Sequence, residues 1–381
     1  MDKLSRLVNV YVPVKACTFR CHYCYITTHR QFSSDLPRFK YSPERIRAAL
    51  AQKRLGGCAS IVFCGGGETL LPPEIPSYLL AVLDEGHFVT IVTNGSVFRA
   101  FDIIAKFPQE YFERIFFKFS YHHLELKRLG LLNRYFDNVR RMRDLGASFT
   151  LEVTPNDELI PFIGEVKETC MREVGAWPHI TVARDERVMA SLPILTNLSR
   201  ADFVDTWSVF DSELFRVKMS VFGKRIPSFC YAGDWSVYFN LGTGMMNQCY
   251  CSFCQHDIVK DVSLPIPFKA IGHYCLFPHC YNAHTFVPYG ILPSAVDSFN
   301  DLERNRVCSD GTEWLKPRFK AFMHQRLCDN RPQYSLPKRL VVDAEMWMRK
   351  QKRRLGSVKR KLLVQFMTSK QTNGPKNSTH Q

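Results

Sequence analysis

Six times between residues 7 and 184, a short run of β-branched and aromatic residues is followed by a segment of helical spacing. The runs are Leu7–Val14, Ala59–Phe63, Phe88–Val92, Arg114–Tyr121, Ser148–Thr154 and His179–Arg184. Ser42-Pro43 starts the first long helix as an N-cap followed by Pro at the first helical position. Further helices are expected over Pro72–Glu85, Phe98–Lys106, Leu132–Leu145 and Leu159–Val174, with Gly86 and Gly146 as stops. Such alternation predicts a parallel sheet with helical crossovers, either doubly wound or curled toward a barrel.

The strands choose between the two. A doubly wound sheet is covered on both faces and reads as apolar throughout. Here Ile115, Phe117 and Phe119 alternate with Lys118, Ser120 and His122, while Phe149, Leu151 and Val153 alternate with Thr150, Glu152 and Thr154. Val89 and Ile91 likewise oppose Thr90 and Asn94, and the valines of the first run oppose Asn9 and Tyr11. One consistently polar face predicts a partial (β/α)6 barrel of TIM type with a wet lumen. The content of 29 Phe and 15 Tyr suffices for a large core.

Four polar motifs fall at the C-terminal ends of these strands, the face where αβ barrels build their sites. They are the cysteine loop 17–24, Gly65-Gly66-Gly67-Glu68, Thr93-Asn94-Gly95 and Ser120-Tyr121-His122-His123. The loop Cys17-Thr18-Phe19-Arg20-Cys21-His22-Tyr23-Cys24 offers three thiolates, and the next cysteine is Cys58. Three soft ligands on one short loop suit an iron–sulfur cluster with one iron left open. Zinc wants a fourth ligand, which the neighbouring His22 supplies poorly. Plain buried thiols are the remaining alternative, and a disulfide fails on crowding and on the odd count.

The spacing CxxxCxφC, with Tyr23 as the aromatic φ, resembles the signature of the radical S-adenosylmethionine (SAM) superfamily. Gly66-Gly67-Glu68 resembles that family's GGE motif after the second strand. The resemblance runs over about residues 7–185 and departs from the pattern in the third glycine, Gly65. It implies a 4Fe–4S cluster on Cys17, Cys21 and Cys24, with SAM bound at the open iron. It further implies a methionine amino group held by Gly66, Gly67 and Glu68, Tyr23 near the adenine, and Ser120 as a polar contact to ribose or carboxylate. Asn94, Glu152 and Thr154 follow by strand position; Lys118 and His122 face cofactor or substrate, unless Lys118 serves as the counter-ion of Glu152. The implied reaction is reductive cleavage of SAM to methionine and a 5′-deoxyadenosyl radical, which takes a hydrogen atom from a substrate. An external one-electron donor of flavodoxin or ferredoxin type is implied as well.

After helical spacing around Ala201–Phe222, six cysteines follow: Cys230, Cys249, Cys251, Cys254, Cys275 and Cys280. Val237–Phe239 and the glycines at 242 and 244 predict a hairpin between the first two. The pattern resembles the SPASM/twitch extension, and implies a second, auxiliary 4Fe–4S cluster on Cys230, Cys249, Cys275 and Cys280. The pair Cys251 and Cys254 competes as a CxxC, and a zinc ribbon is the alternative. Cys58, Cys64, Cys170, Cys308 and Cys328 read as packing residues.

The expected organisation is a barrel over 1–200, a small cysteine-rich α+β extension over 201–330, and a basic tail over 331–381. Of the net charge of +15, twelve Lys and Arg against two acids lie from Lys338 to Gln381. The body is thus only mildly basic. Leu355, Val358, Leu362 and Phe366 predict a basic amphipathic stretch with weak affinity for an anionic surface, or else a solvated, frayed tail. No signal-like or membrane-spanning stretch is present, and a cytoplasmic protein is expected. The first strand begins at Leu7, so no leader-binding domain is expected ahead of it. Peptide, protein, sugar and lipid-linked substrates all stay open. Charge alone favours another class, a non-catalytic zinc- or iron–sulfur-bearing nucleic-acid-binding protein.

Overall fold

The computed structural model describes residues 2–188, 191–250, 256–277, 279–293 and 298–352. Its centre is one sheet of strands β1 (Arg6–Val12), β2 (Ala59–Gly65), β3 (Phe88–Thr93), β4 (Ile115–Ser120), β5 (Ser148–Val153) and β6 (His179–Ile180). These run parallel in the order β6-β5-β4-β3-β2-β1. The sheet curls but stays open, as a partial barrel of TIM type. Val8, Val10, Val12, Ile61, Phe63, Ile91, Phe117, Phe119, Leu151 and Val153 face the helices, and none is more than 1% exposed. Helix Pro43–Ala49 starts where expected, with the Ser42 side chain accepting from the Arg45 amide.

Prolines account for two helix starts that differ from expectation. The second long helix covers Ile75–Asp84 rather than starting at Pro72, because consecutive prolines at 72 and 73 hold the chain out of the α region. Pro161 lacks an amide proton, so Asp157–Phe162 forms 3₁₀ turns before the α-helix Ile163–Val174. The sixth strand is shorter than the predicted His179–Arg184. Beyond Ile180 the chain leaves β5, and Asp185 and Leu195 donate to Pro193 and Ala183 within a local excursion.

The predicted hairpin forms from β7 (Ser236–Asn240) and β8 (Met245–Asn247), followed by β9 (His256–Asp257). It is continuous with the barrel sheet: β7 pairs in parallel with β1, from Leu7 against Ser236 to Tyr11 against Asn240. The far chain also closes the lumen at the N-terminal ends of the strands. Phe322 of helix Pro317–Met323 stacks on Phe88 at 3.7 Å between centroids, and Phe319 meets Phe88 and Phe116 at 5.4 Å. Each fully buried Phe contributes about 1.5–3 kcal/mol. The polar residues of the lumen are thereby left near the opposite mouth.

Part of the basic tail is packed rather than frayed. Residues 336–352 are helical, and Val342 and Met346 are buried with Phe229 and Ile271. Asp343 accepts from the His273 amide and pairs with its Nδ1, both at 2.8 Å. The Leu355–Phe366 stripe lies outside the described residues. No described helix is long and apolar enough to cross a membrane.

Candidate active site

Cys17, Cys21 and Cys24 line one cavity of about 110 Å³, with Gly65, Gly66, Gly67, Glu68, Asn94, Ser120 and His122 around it. Four successive strand ends thus deliver their polar residues to one place. The Cys17 sulfur receives the Phe19 amide at 3.4 Å and Asn94 Nδ2 at 3.6 Å. Asn94 Nδ2 also donates to Thr18 Oγ1 at 2.9 Å, and Asn94 Oδ1 accepts from the Ser96 amide at 3.0 Å and its hydroxyl at 2.6 Å. Strand β3 therefore holds the cysteine loop through side chains. Tyr23 Oη lies 2.7 Å from His122 Nδ1.

Burial pushes the Cys17 thiol up to about 11 and Cys21 to about 12, and raises Cys24. The thiolates are disfavoured until a positive charge enters the cavity, as a metal group would supply. Among the described residues, no three His, Cys, Asp or Glu side chains converge tightly enough for one metal ion.

The glycine loop is shaped by the stem of the cysteine loop. Gly67 donates to Val14 O at 2.6 Å, and Glu68 to Ala16 O at 3.0 Å. A Cβ on Gly67 would run into Ala16 O and lie 2.8 Å from Ala16 C, and one on Gly66 would lie 2.8 Å from Val14 O. Glu68 is 2% exposed. Its Oε1 accepts from Thr93 Oγ1 at 2.6 Å and the Leu70 amide at 3.0 Å, and its Oε2 accepts from the Asn94 amide at 2.8 Å. Burial raises its pKa, against the pull of these three donors. Glu68 thus ties β2 to β3 while bordering the cavity.

Not every expected residue lies there. Glu152 does not line that cavity; it pairs with Lys118 at 2.8 Å and with Arg304. Lys118 is accordingly the counter-ion that the sequence offered as its second reading. Arg304, 152 residues away, left no signal in the sequence. Thr18 lies inside the cysteine loop and Ser96 directly follows Thr93-Asn94-Gly95, their hydroxyls 2.6 Å apart. Cys64, expected to pack, instead borders a larger lumenal cavity of about 510 Å³ with Asn9, Tyr11, Tyr25, Arg184, Tyr238 and Tyr250. That cavity shares Gly65 with the cysteine cavity.

Cys230, Cys249, Cys275 and Cys280 sit in one neighbourhood, where each of the other three raises the Cys230 pKa after burial itself. Cys230 is 8% exposed and its amide bonds Gly272 O at 3.2 Å. Asn282 Nδ2 points at the Cys249 sulfur at 3.9 Å. The competing Cys251 and Cys254 lie outside the described residues.

No curated protein matches the chain by sequence. Among solved structures it is similar to SuiB of Streptococcus suis bound to S-adenosylmethionine, at 15% identity and a TM-score of 0.48, covering 69% of this chain and 66% of SuiB. SuiB bound to its precursor peptide SuiA gives 15% identity and a TM-score of 0.49 over 70% of this chain and 66% of SuiB. Native anSMEcpe with bound AdoMet gives 12% and 0.43, over 93% of this chain and 100% of that one. The chain thus spans just under two thirds of the length of SuiB. Residues 11–155, which hold the cysteine loop, the glycine loop and β2 to β5, match the model of the radical SAM superfamily.

Proposed function

We propose that this protein is an enzyme that reductively cleaves SAM and uses the resulting radical on a substrate held in its lumen. The observation that carries the reading is the convergence of three loop thiols with the Gly66–Glu68 loop, Asn94 and Ser120 on one cavity at the strand ends of a segment that matches the radical SAM superfamily. Cys17, Cys21 and Cys24 would hold a 4Fe–4S cluster. Once bound, that cluster supplies an open iron for the amino and carboxylate groups of SAM, and the electron that cleaves its sulfonium. The chain's own part is positional. Asn94 and the Phe19 amide orient Cys17. Gly66 and Gly67 border the cavity without side chains, and Glu68 borders it with a carboxylate fit for a cationic amino group. The adjoining cavity beyond Gly65 is the place for a substrate C–H bond, its tyrosine rings limiting water around a radical. An external one-electron donor of flavodoxin or ferredoxin type completes the system.

Cys230, Cys249, Cys275 and Cys280 would hold a second, auxiliary 4Fe–4S cluster of the twitch kind. With four thiolates it has no open iron, so its role is electron transfer or support of the C-terminal fold. Residues 201–330 form that extension, 1–200 the barrel and 331–381 the tail. The test is anaerobic reconstitution, reduction, and measurement of 5′-deoxyadenosine together with iron. The wild type is expected to hold about eight irons and to form 5′-deoxyadenosine without substrate. The Cys17/Cys21/Cys24→Ala protein is expected to form none and to keep about four irons. Unchanged nucleoside formation in that variant overturns the SAM assignment. Loss of all iron, with one zinc retained, overturns the auxiliary cluster in favour of the ribbon and, if no nucleoside forms even in the wild type, of a binding protein.

A further inference from the structure

A third cavity, of about 160 Å³, opens between β6 and the segment after Cys280. Its lining includes Thr181, Arg184, Lys218, His279, Tyr281 and His284, with the thiol of Cys280 beside them, and no Asp or Glu. Lys218 comes from helix Glu213–Val221, is 8% exposed, and donates to Thr181 Oγ1. Arg184 donates from Nη1 to Tyr281 O at 3.2 Å. Neither cation has a carboxylate within ion-pair distance among the described residues, whereas Lys118 and Arg304 nearby are paired with Glu152. Glu303, the acid that acts on Lys218, does not line the cavity. Burial holds its pKa up at about 8, and its Oε1 accepts from Ser298 Oγ at 2.6 Å. Glu186 borders only the adjoining cavity.

An arginine and a lysine turned into one cavity without a carboxylate are costly to keep charged, since buried charges are ordinarily paired. Their cost is offset if an anion occupies the space. Burial, with Lys118 and Arg184 close by, holds the Lys218 amine well below its usual range, so it gains its proton as an anion enters; with Arg184 it then offers two positive charges, which match a phosphoryl dianion, and the three oxygens match a guanidinium, an ammonium and the Thr181 hydroxyl. A carboxylate has one charge and two oxygens and leaves one cation unmatched. Arg184 and Tyr281 border this cavity and the tyrosine-lined one alike. A group bound here therefore continues into the lumen beside the cysteine site.

We propose that the Arg184–Lys218 cavity binds a dianionic phosphoryl group, and that the substrate carries it. The second half rests on the reading of the protein as a radical SAM enzyme; the first half does not. The experiment measures equilibrium binding of labelled inorganic phosphate to the full-length, cluster-loaded protein without SAM. Expected are saturable binding, a preference over acetate of at least about ten-fold, and a loss of at least about ten-fold in Arg184→Gln and in Lys218→Met, as befits lost charge-assisted bonds. In phosphate-free buffer Lys218→Met is expected to melt no lower than the wild type, because it removes a buried amine that has no carboxylate partner. Displacement of the label by glucose 1-phosphate supports a soluble phosphorylated substrate, and displacement by phosphatidic acid in micelles supports a lipid one. Absence of saturable binding, equal affinity for acetate, displacement by neither compound, or a lowered melting temperature of Lys218→Met overturns the proposal. 5′-deoxyadenosine formation by the same preparation reports separately on the SAM reading.

Discussion

Replacing Gly67 by Ala tests how the cysteine loop is positioned. The backbone of Gly67 is not in the left-handed region, so alanine meets no conformational strain there and any effect must come from contact. The added Cβ would lie 2.8 Å from Ala16 C and 3.1 Å from Lys15 C, and closer still to Ala16 O. Ordinary contact begins at 3.4 Å, so Ala16 must retreat by at least 0.6 Å, and its neighbour Cys17 moves with it. The hydrogen bonds Gly67 N–Val14 O and Glu68 N–Ala16 O are strained or lost. At about 1 kcal/mol each, they put the stability loss near 2 kcal/mol. A shift approaching 1 Å at a reacting centre costs about 10²-fold in rate. Gly164→Ala is the control: it lies in helix Ile163–Val174 with open space around it, and its Ala gains up to about 1 kcal/mol. Urea unfolding, iron content and the initial rate of 5′-deoxyadenosine formation report on both proteins. If Gly67→Ala keeps its iron and cleaves SAM within about two-fold of wild type, the stem contact does not position the loop, and the argument from it fails.

Two further outcomes are expected. Truncation after residue 352 should leave iron content unchanged, whereas truncation after residue 337 removes Val342, Met346 and the Asp343–His273 pair and should cost the iron held near Cys230; equal iron in the two truncations would show the 336–352 helix to be dispensable. Burial, with Arg306 nearby, pushes His179 down to about 3, so the unfolded chain binds a proton that the folded one refuses; stability should be full above pH 6.5 and fall by about 2 kcal/mol on going to pH 5, and a His179→Gln protein whose pH profile in urea is as steep as the wild type's would refute this.

The strand order and the choice of lumen face were legible because both are local. Alternation over Ile115–Ser120 or Ser148–Val153 has period two, and only one register buries Phe117, Phe119, Leu151 and Val153 against helices. The cysteine loop was legible for the same reason: its three ligands lie within eight residues, and the loops that meet it sit at the ends of consecutive strands. The sequence alone also suggested that Lys118 balances Glu152, since the two point to one face of adjacent strands. Tertiary structure decided what depends on distant partners. Arg304 reaches Glu152, Phe319 and Phe322 plug one end of the lumen, and β7 extends the sheet beside β1. Cys64 passed for a packing residue because a lone cysteine carries no register of its own; only the curl of the sheet turns it toward the lumen. The Arg184–Lys218 cavity belongs to the same class. Arg184 lies at the base of the excursion after β6, Lys218 lies in a helix and His284 follows Cys280. Nothing in their spacing brings these three residues to one wall, because that juxtaposition is made by packing between segments, over sequence separations at which local periodicity carries no information.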